Sequence, residues 1–309
     1  MNTIGKTIAS SPSGWLNIDK PVGVSSARAV AVVRRALGTR KVGHGGTLDP
    51  LASGVLPIAV GEATKTVAYA MAGEKIYRFT VRWGEARATD DAEGEVTARS
   101  DRRPSEVEIR SVLSRFVGRI EQVPPAFSAI KVAGVRAYRL ARAAQPVVLQ
   151  SRQVEVKSLS LREILDEDEA AFEVVCGKGL YVRSLARDLA AALGTVGYVA
   201  ALRRTRVGPF HAETAIPLDK LETLGHSAAF PGYLLPVETA LDDIPALALT
   251  ESDADRMKKG QPVQALRTGS PASRPLSEGD VVYVTAAGKP VALARFEGTL
   301  LRPVRVLNL

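Results

Sequence analysis

Hydrophobic and polar positions alternate most clearly over residues 76–83. There Tyr77, Phe79, Val81 and Trp83 interleave with Arg78, Thr80 and Arg82. A period of two sets the two groups on opposite faces, which predicts a half-buried strand. Trp15-Leu16-Asn17-Ile18-Asp19 predicts a shorter strand, closed by the turn chemistry of Lys20-Pro21-Val22-Gly23. The period then becomes helical. Ser25 or Ser26 offers an N-cap, Ala29, Val30, Val33 and Leu37 share one stripe, and Gly38 supplies a stop. Ser105 and Glu108 have capping-box spacing, ahead of a stripe at Ile109, Val112, Leu113 and Phe116. Further strands are predicted at 55–60, 152–164 and 171–176. A helix is predicted over 62–72 and another over 180–193, with Leu185, Leu189 and Leu193 as core stripe and Gly194 as stop. The acidic, turn-rich stretch 84–96 predicts a hairpin.

Two regions depart from this alternation. Gln122-Val123-Pro124-Pro125-Ala126-Phe127-Ser128 cannot be helical, and it leads to Lys131, Arg136, Tyr138, Arg139 and Arg142. Basic residues with an aromatic among them suit tracking of a nucleic-acid backbone and stacking of bases. We read 122–150 as an inserted arm; the plainer alternative is a surface helix with solvated arginines. At the other end, Leu241-Asp242-Asp243-Ile244-Pro245 reads as a boundary. Beyond it, a helix over 251–259 and short strands at 281–284, 291–296 and 303–307 predict a small, mostly β module.

The segment Gly43-His44-Gly45-Gly46-Thr47-Leu48-Asp49-Pro50-Leu51-Ala52-Ser53-Gly54 follows neither period. Its glycines and proline predict a loop of specified shape, neither a helix nor a central strand. Asp49 is the carboxylate it displays. Taken alone, that residue is as easily read as turn chemistry.

Composition narrows the chemistry. The chain of 309 residues is 46% hydrophobic and 24% charged, with 41 Lys and Arg against 33 Asp and Glu. The net charge of +8 falls in clusters such as Arg34-Arg35, Arg102-Arg103 and Arg203-Arg204/Arg206, a pattern that favours an extended polyanion. No apolar stretch is long enough to span a bilayer, and no secretory signal is read in the opening residues, so a cytoplasmic location is expected. The single cysteine, Cys176, sits in an apolar run and is read as a small buried hydrophobe. His44, His211 and His226 lie far apart in sequence, so no zinc site is expected. Walker A, dinucleotide-binding and nucleophile-elbow motifs are missing. A carboxylate, a tyrosine and arginines remain, a set suited to nucleophilic or acid–base work on a polar ring without a cofactor.

Five ordered segments resemble the tRNA pseudouridine-55 synthases, the bacterial branch of the pseudouridine synthase family. They are Gly14-Trp-Leu-Asn-Ile-Asp19-Lys20-Pro21-x-Gly23-x-Ser25-Ser26, the stretch Val42 to Pro57, Lys75-x-Tyr77, Gln122-x-Pro124-Pro125-x-Phe127-Ser128-Ala129-x-Lys131, and Gly177-Lys178-Gly179-x-Tyr181-x-Arg183 through Asp188. They cover about residues 14–210. The tail resembles, more loosely, the RNA-binding PUA-type domains often appended to the family.

The resemblance implies an α+β catalytic domain over 1–240, built on a long, mixed, mostly antiparallel sheet flanked by helices and carrying the arm. A PUA-like RNA-binding domain over 241–309 would follow. It implies isomerisation of uridine to pseudouridine in the T-arm loop of tRNA by base flipping, with no metal and no cofactor, and a monomer is expected. Asp49 matches the catalytic aspartate, acting as nucleophile or base; the atom it attacks is left open. Tyr77 matches the tyrosine that stacks on the base and assists proton removal at C5. Arg183 matches the aspartate's basic partner, and Tyr181 a residue of the active-site pocket. His44 matches a residue that meets RNA near the target. Lys20, grouped with the RNA-binding candidates, is read from its position as supporting the loop and not as reacting. Lys131, Arg136, Arg139 and Arg142 are the arm's candidate RNA contacts. Two positions depart from the family pattern: Gly45 stands where many relatives have Thr, and Ser25 replaces the usual Thr.

Physical chemistry agrees with these roles. A base in a folded loop must leave its stack to expose its glycosidic bond, and an aromatic side chain can replace the lost stacking. A carboxylate in a closed site needs a cation to stay ionised. Two rival readings are an RNA-binding or RNA-folding protein without turnover, and a retaining glycosidase-like enzyme pairing Asp49 with Asp90 or Asp91.

Overall fold

The computed structural model describes residues 12–224, 230–265 and 275–309. His226 and the residues before Pro12 lie outside these. The N-terminal pattern folds as its periods dictate. Strand β1 (Gly14–Lys20) leads into helix α1 (Ser26–Leu37), whose N-cap Ser25 accepts from the Arg28 N–H. Such a cap contributes about 1 kcal/mol. Ala29, Val30 and Val33 are buried, and Gly38 ends the helix at φ 62°. A short strand β2 (Val42–His44) precedes β3 (Ala52–Val60). The structure corrects the sequence here, because residues 52–54 belong to a strand at the centre of the sheet. Gly54 is tolerated there by its φ of +104° and by its missing side chain, since a Cβ would sit 2.1 Å from the Arg204 carbonyl oxygen.

A 3₁₀ turn over Gly61–Thr66 and helix α2 (Val67–Ala72) follow, where one continuous helix was expected. Strand β4 (Lys75–Trp83) buries Phe79, Val81 and Trp83 as its alternation requires. The acidic stretch is the turn of a hairpin, β5 (Glu85–Arg87) with β6 (Val96–Arg99). Helix α3 (Glu106–Val112) starts from the predicted capping box, and β7 (Gly118–Gln122) completes this part.

The segment after Gln122 leaves the sheet. It contains a two-residue hairpin, β8 (Lys131–Val132) with β9 (Val135–Arg136), and helix α4 (Ala137–Arg142). Gln122 itself is 1% exposed and belongs to β7. Strands β10 (Arg152–Ile164) and β11 (Glu169–Cys176), helix α5 (Val182–Ala192) and strand β12 (Gly197–Val207) return to the body. Short strands β13 (Phe210–His211) and β14 (Ile216–Pro217) and helix α6 (Leu218–Leu224) finish it.

The main sheet has ten strands in the order β14-β1-β3-β12-β4-β11-β10-β7, with β13 on β12 and β2 on β3. Pairing is antiparallel except between β1 and β14 and between β3 and β12. One core fills the face under α1 and α5, with Leu16, Ile58, Phe79, Phe172 and Leu185 among its members. A second core lies behind β1 and β3, where Trp15 meets Phe210, Ala63, Val237 and Leu307.

A separate five-stranded sheet is formed by β15 (Ala246–Ala248), β16 (Val263–Gln264), β17 (Val281–Ala286), β18 (Lys289–Glu297) and β19 (Leu300–Val306), with α7 (Glu251–Lys258) against it. It has its own core around Met257, Val282, Val284 and Leu301. The chain after β19 then clamps onto the first sheet. Leu307 is buried behind Trp15, Lys65 donates to the Val306 carbonyl at 2.6 Å, and the Asn308 N–H donates to Glu62 at 2.8 Å. Glu62 also pairs with Lys41 and Lys65. Burial alone would raise its carboxyl, but the Asn308 N–H and the two lysines outweigh that and bring it down to about 2. Among the described residues no helix is long and apolar enough to cross a membrane.

Candidate active site

Three adjacent strands at the middle of the sheet place the site. The Asp49 loop runs directly into β3, Tyr77 lies on β4, and β12 runs between them. In one row across these strands, Gly54 is opposite Arg204 and Arg204 is opposite Tyr77. Above this row is a cavity of about 790 Å³, roofed by the arm and walled by the start of α5. That volume falls in the range of small-ligand pockets, about 300–1,000 Å³.

Of the residues singled out from sequence, Asp49, Tyr77, Tyr181, Arg183 and Arg142 line this cavity. Arg183, in the first turn of α5, reaches Asp49 at 2.9 Å, with side-chain exposures of 5% and 33% respectively. The cation is therefore held inside the protein while the carboxylate keeps a face on the cavity. Arg183 also donates to the carbonyls of Thr89 and Phe127, at 2.9 and 3.1 Å, and stands 3.4 Å from Asp91. Asp91 is buried and accepts from the Glu93 N–H at 3.0 Å. Arg183 thus bridges two carboxylates, one in the wall and one facing the cavity. This geometry leaves Asp91 no freedom to serve as a second catalytic carboxylate. Asp90 is taken by Arg187 at 2.9 Å. Neither suits the glycosidase-like alternative.

Tyr181 is held by both ends of its peptide unit. The Gln122 amide accepts from its N–H at 2.8 Å and donates to its carbonyl at 3.1 Å. Arg152 stacks on its ring at 4.7 Å from the centroid. Gln122 and Arg152 pair across β7 and β10, so the sheet itself fixes this aromatic. Tyr77 is half-buried; burial pushes its phenol upward, and the Arg204 guanidinium opposes that shift.

The remaining sequence candidates lie elsewhere. Lys20 is fully buried, and its ammonium donates to the carbonyls of Pro21 at 2.8 Å, Val24 at 2.7 Å and Ala52 at 2.5 Å. It braces the Asp49 loop from beneath and does not line the cavity. His44 is partly buried with an unpartnered Nδ1, and burial lowers its imidazole, with Arg204 adding to the effect. Lys131, Arg136 and Arg139 are exposed on the arm, away from the cavity lining. Gly45 fits a confined space: a Cβ would meet Ala70 at 3.2 Å, Trp15 at 3.3 Å and Pro57 at 3.4 Å. A threonine there would require Ala70 and Trp15 to give by a few tenths of an ångström.

The sequence missed Arg204. It was grouped with Arg203 and Arg206 as part of a polyanion-binding cluster. The structure separates the three. Arg203 pairs with Asp19 at 2.7 Å, Arg206 donates to the Gly208 carbonyl at 2.9 Å, and Arg204 is 1% exposed beneath the Asp49 loop. The signal was present in the strand period, since Leu202 and Arg204 share a face. Cys176 is free and buried, and burial pushes its thiol up to about 12. Among the described residues no group of three or more His, Cys, Asp or Glu could hold a metal ion.

This geometry has close relatives. The N-terminal domain of TruB family pseudouridylate synthases matches residues 34–182, and the C-terminal domain of tRNA pseudouridylate synthase B matches 183–242. The chain is 56% identical over 297 residues to the tRNA pseudouridine synthase B of Rhodospirillum rubrum, covering 96% of each. It is 54% identical over 301 residues to that of Bradyrhizobium diazoefficiens, covering 96% of this chain and 86% of the other. Among solved structures it resembles a chain of the archaeal box H/ACA sRNP Nop10-Cbf5 complex, with TM-score 0.74 and 26% identity over 96% of this chain and 86% of that one. It also resembles a chain of an H/ACA RNP bound to a substrate RNA containing 2'-deoxyuridine, with TM-score 0.74 and 25% identity over 96% and 85%.

Proposed function

The chain belongs to the TruB family of pseudouridylate synthases, and on that premise we propose that it converts the uridine at position 55 of the tRNA T-arm loop to pseudouridine, with Asp49 as nucleophile. Isomerisation of uridine to pseudouridine in tRNA is the activity for which its relatives are named. The observation that carries the assignment to Asp49 is its 2.9 Å pairing with the buried Arg183 in the wall of a cavity shared with Tyr77 and Tyr181.

The reaction breaks the N1–C1′ bond, turns the base, forms a C5–C1′ bond, moves the C5 proton away and leaves a proton on N1. Asp49 opens the sequence by attacking the extruded uridine. Arg183 pairs with the attacking carboxylate and fixes its position in the cavity wall. Tyr77 and Tyr181 replace the stacking the base loses on leaving the loop, and in this reading Tyr77 takes part in C5 proton removal. The arm closes over the base and meets the phosphates through Arg136, Arg139 and Arg142. The second sheet over 246–306 is a further RNA-contacting surface, and the protein acts as a monomer.

The test is tritium release from C5-labelled uridine in a tRNA transcript. Asp49→Asn should bind the transcript with parental affinity and lose release by at least about 1,000-fold. Parental release from that variant would remove Asp49 from the chemistry, and pseudouridine mapped to another site in tRNA would overturn the position.

A further inference from the structure

Two buried arginines face this cavity, and only Arg183 has acidic partners. Arg204 forms no ion pair among the described residues, although its side chain is 1% exposed. A buried cation is costly unless polar groups replace its hydration. Here backbone carbonyls do so. Nε donates to Val55 at 2.8 Å, Nη1 to Thr47 at 3.3 Å and Nη2 to Gly46 at 3.1 Å. These carbonyls come from both sides of Asp49 in the chain. A guanidinium has five N–H donors, so two remain after these three bonds.

We propose that Arg204 is the positioning residue of this site, locking the Asp49 loop to β12 by its carbonyls while holding an uncancelled positive charge beneath Tyr77. The inference rests on the roles given above to Asp49 and Tyr77. Three observations support it. Gly54, which enters the row beside Arg204, has no room for a Cβ because the Arg204 backbone occupies that space. Tyr77 is the direct cross-strand partner of Arg204 on the other side. The same charge favours neutral His44, Lys20 and Lys75 and an ionised Tyr77, as an unpaired cation must. Carbonyl dipoles satisfy its hydrogen bonds without cancelling its charge, so the field extends into the cavity. Around Tyr77 the other charged or titratable groups are Asp49 from the loop, Asp91 and Glu93 from the turn between β5 and β6, Tyr138 and Arg142 from α4, Arg152 from β10, Cys176 from β11, Lys178, Tyr181 and Arg183 from the chain entering α5, and Lys75 on its own strand. Asp49 and Cys176 act against an ionised Tyr77, and Arg204 is the counterweight.

The experiment reads Tyr77 directly. The near-ultraviolet phenolate titration of the protein, minus that of Tyr77→Phe, isolates this residue among the seven tyrosines. Arg204→Gln should move that titration to higher pH. Arg204→Lys should move it too, because a lysine buried there releases its proton before Tyr77 titrates, as burial lowers Lys20 and Lys75 to about 8. Both should cut single-turnover isomerisation about 100-fold, because neither side chain can hold three carbonyls in a fork and a loop displaced by 1 Å costs about that much. An unmoved titration in Arg204→Gln, or parental turnover in Arg204→Lys, overturns the proposal. If Arg204→Gln does not fold, Arg204→Lys decides alone: slowed turnover with a raised titration supports it, and an unmoved titration overturns it. Should Asp49→Asn and Tyr77→Phe isomerise normally while the titration still shifts, the catalytic roles fall and the coupling of Arg204 to Tyr77 stands.

Discussion

The floor and the roof of the cavity are built on opposite principles. The floor is the Asp49 loop on β3, β12 and β4. Two buried cations, Lys20 and Arg204, hold it through backbone carbonyls, and Gly54 admits no side chain. The roof is the arm after Gln122. Its tip carries Ala133 and Gly134 at positive φ, and Val135 and Val148 are exposed. It is tied to the body through single carbonyls, Val123 to Ser184 and Arg187, and Phe127 to Arg183. The difference teaches a division of labour. Reacting groups need fixed positions, and their supports lie in a close-packed sheet. The arm, proposed above to grip RNA, would need room to adapt, and it sits where little packing restrains it.

The largest expected effect strikes the join between the two. Arg183→Met removes the cation from the buried Asp91 and frees the Phe127 carbonyl. Urea denaturation should show a loss of about 3–5 kcal/mol, together with lost turnover. Next comes a matched pair of glycine substitutions. Gly54→Ala at the floor meets backbone at 2.1 Å and should cost about 3 kcal/mol. Gly134→Ala at the roof has φ +85° with nothing within 4 Å, and should cost only the strain of that conformation, about 1 kcal/mol. Equal losses would erase the contrast.

A smaller effect is confined to alkaline pH. Burial lowers Lys20 and Lys75, each from 10.5 to about 8. Between those values the unfolded chain holds protons that the folded chain has released, so stability rises with pH across that window; below about 8 the penalty is present in full. Lys75→Met should flatten part of this rise in denaturation series from pH 7 to 10. Smallest in stability, and confined to binding, is neutralisation of Arg136, Arg139 and Arg142. It should leave the unfolding midpoint unchanged and reduce the salt dependence of RNA affinity by about 0.7–0.9 log unit for each phosphate that the arm no longer neutralises. An unchanged slope would take the arm off the phosphates.

Much of this contrast was legible in the sequence. The alternation in β4, the caps at Ser25 and Ser105 and the stops at Gly38 and Gly194 are local signals, and the chain obeys them. The Asp49 loop was visible because glycine and proline leave few backbone choices. Non-local facts were hidden. Nothing near Ala52–Gly54 announces that a distant strand, β12, will pair with it and turn a loop exit into the middle of a sheet. The strand period sets Arg203 apart from Arg204, but it puts Arg206 on the same face as Arg204, and only the irregularity between them in the sheet decides which points inward. The Gln122 amide, read as the start of the arm, proved to be the clamp on Tyr181 because β7 and β10 bring it there.

The clamp between Glu62, Lys65 and residues 306–308 bears on how such a chain reaches its native state. Its hydrogen bonds join residues 241 and 246 positions apart, and the Trp15 indole bonds Val237 across 222. Pairings that distant exact their loop-closure entropy before they return any stability. Sealing the back of β1 and β3 is therefore expected to be a late and slow event. Until it occurs, the strand that follows the Asp49 loop would keep a solvated rear face, waiting for two stretches of chain more than two hundred residues apart to meet behind that loop.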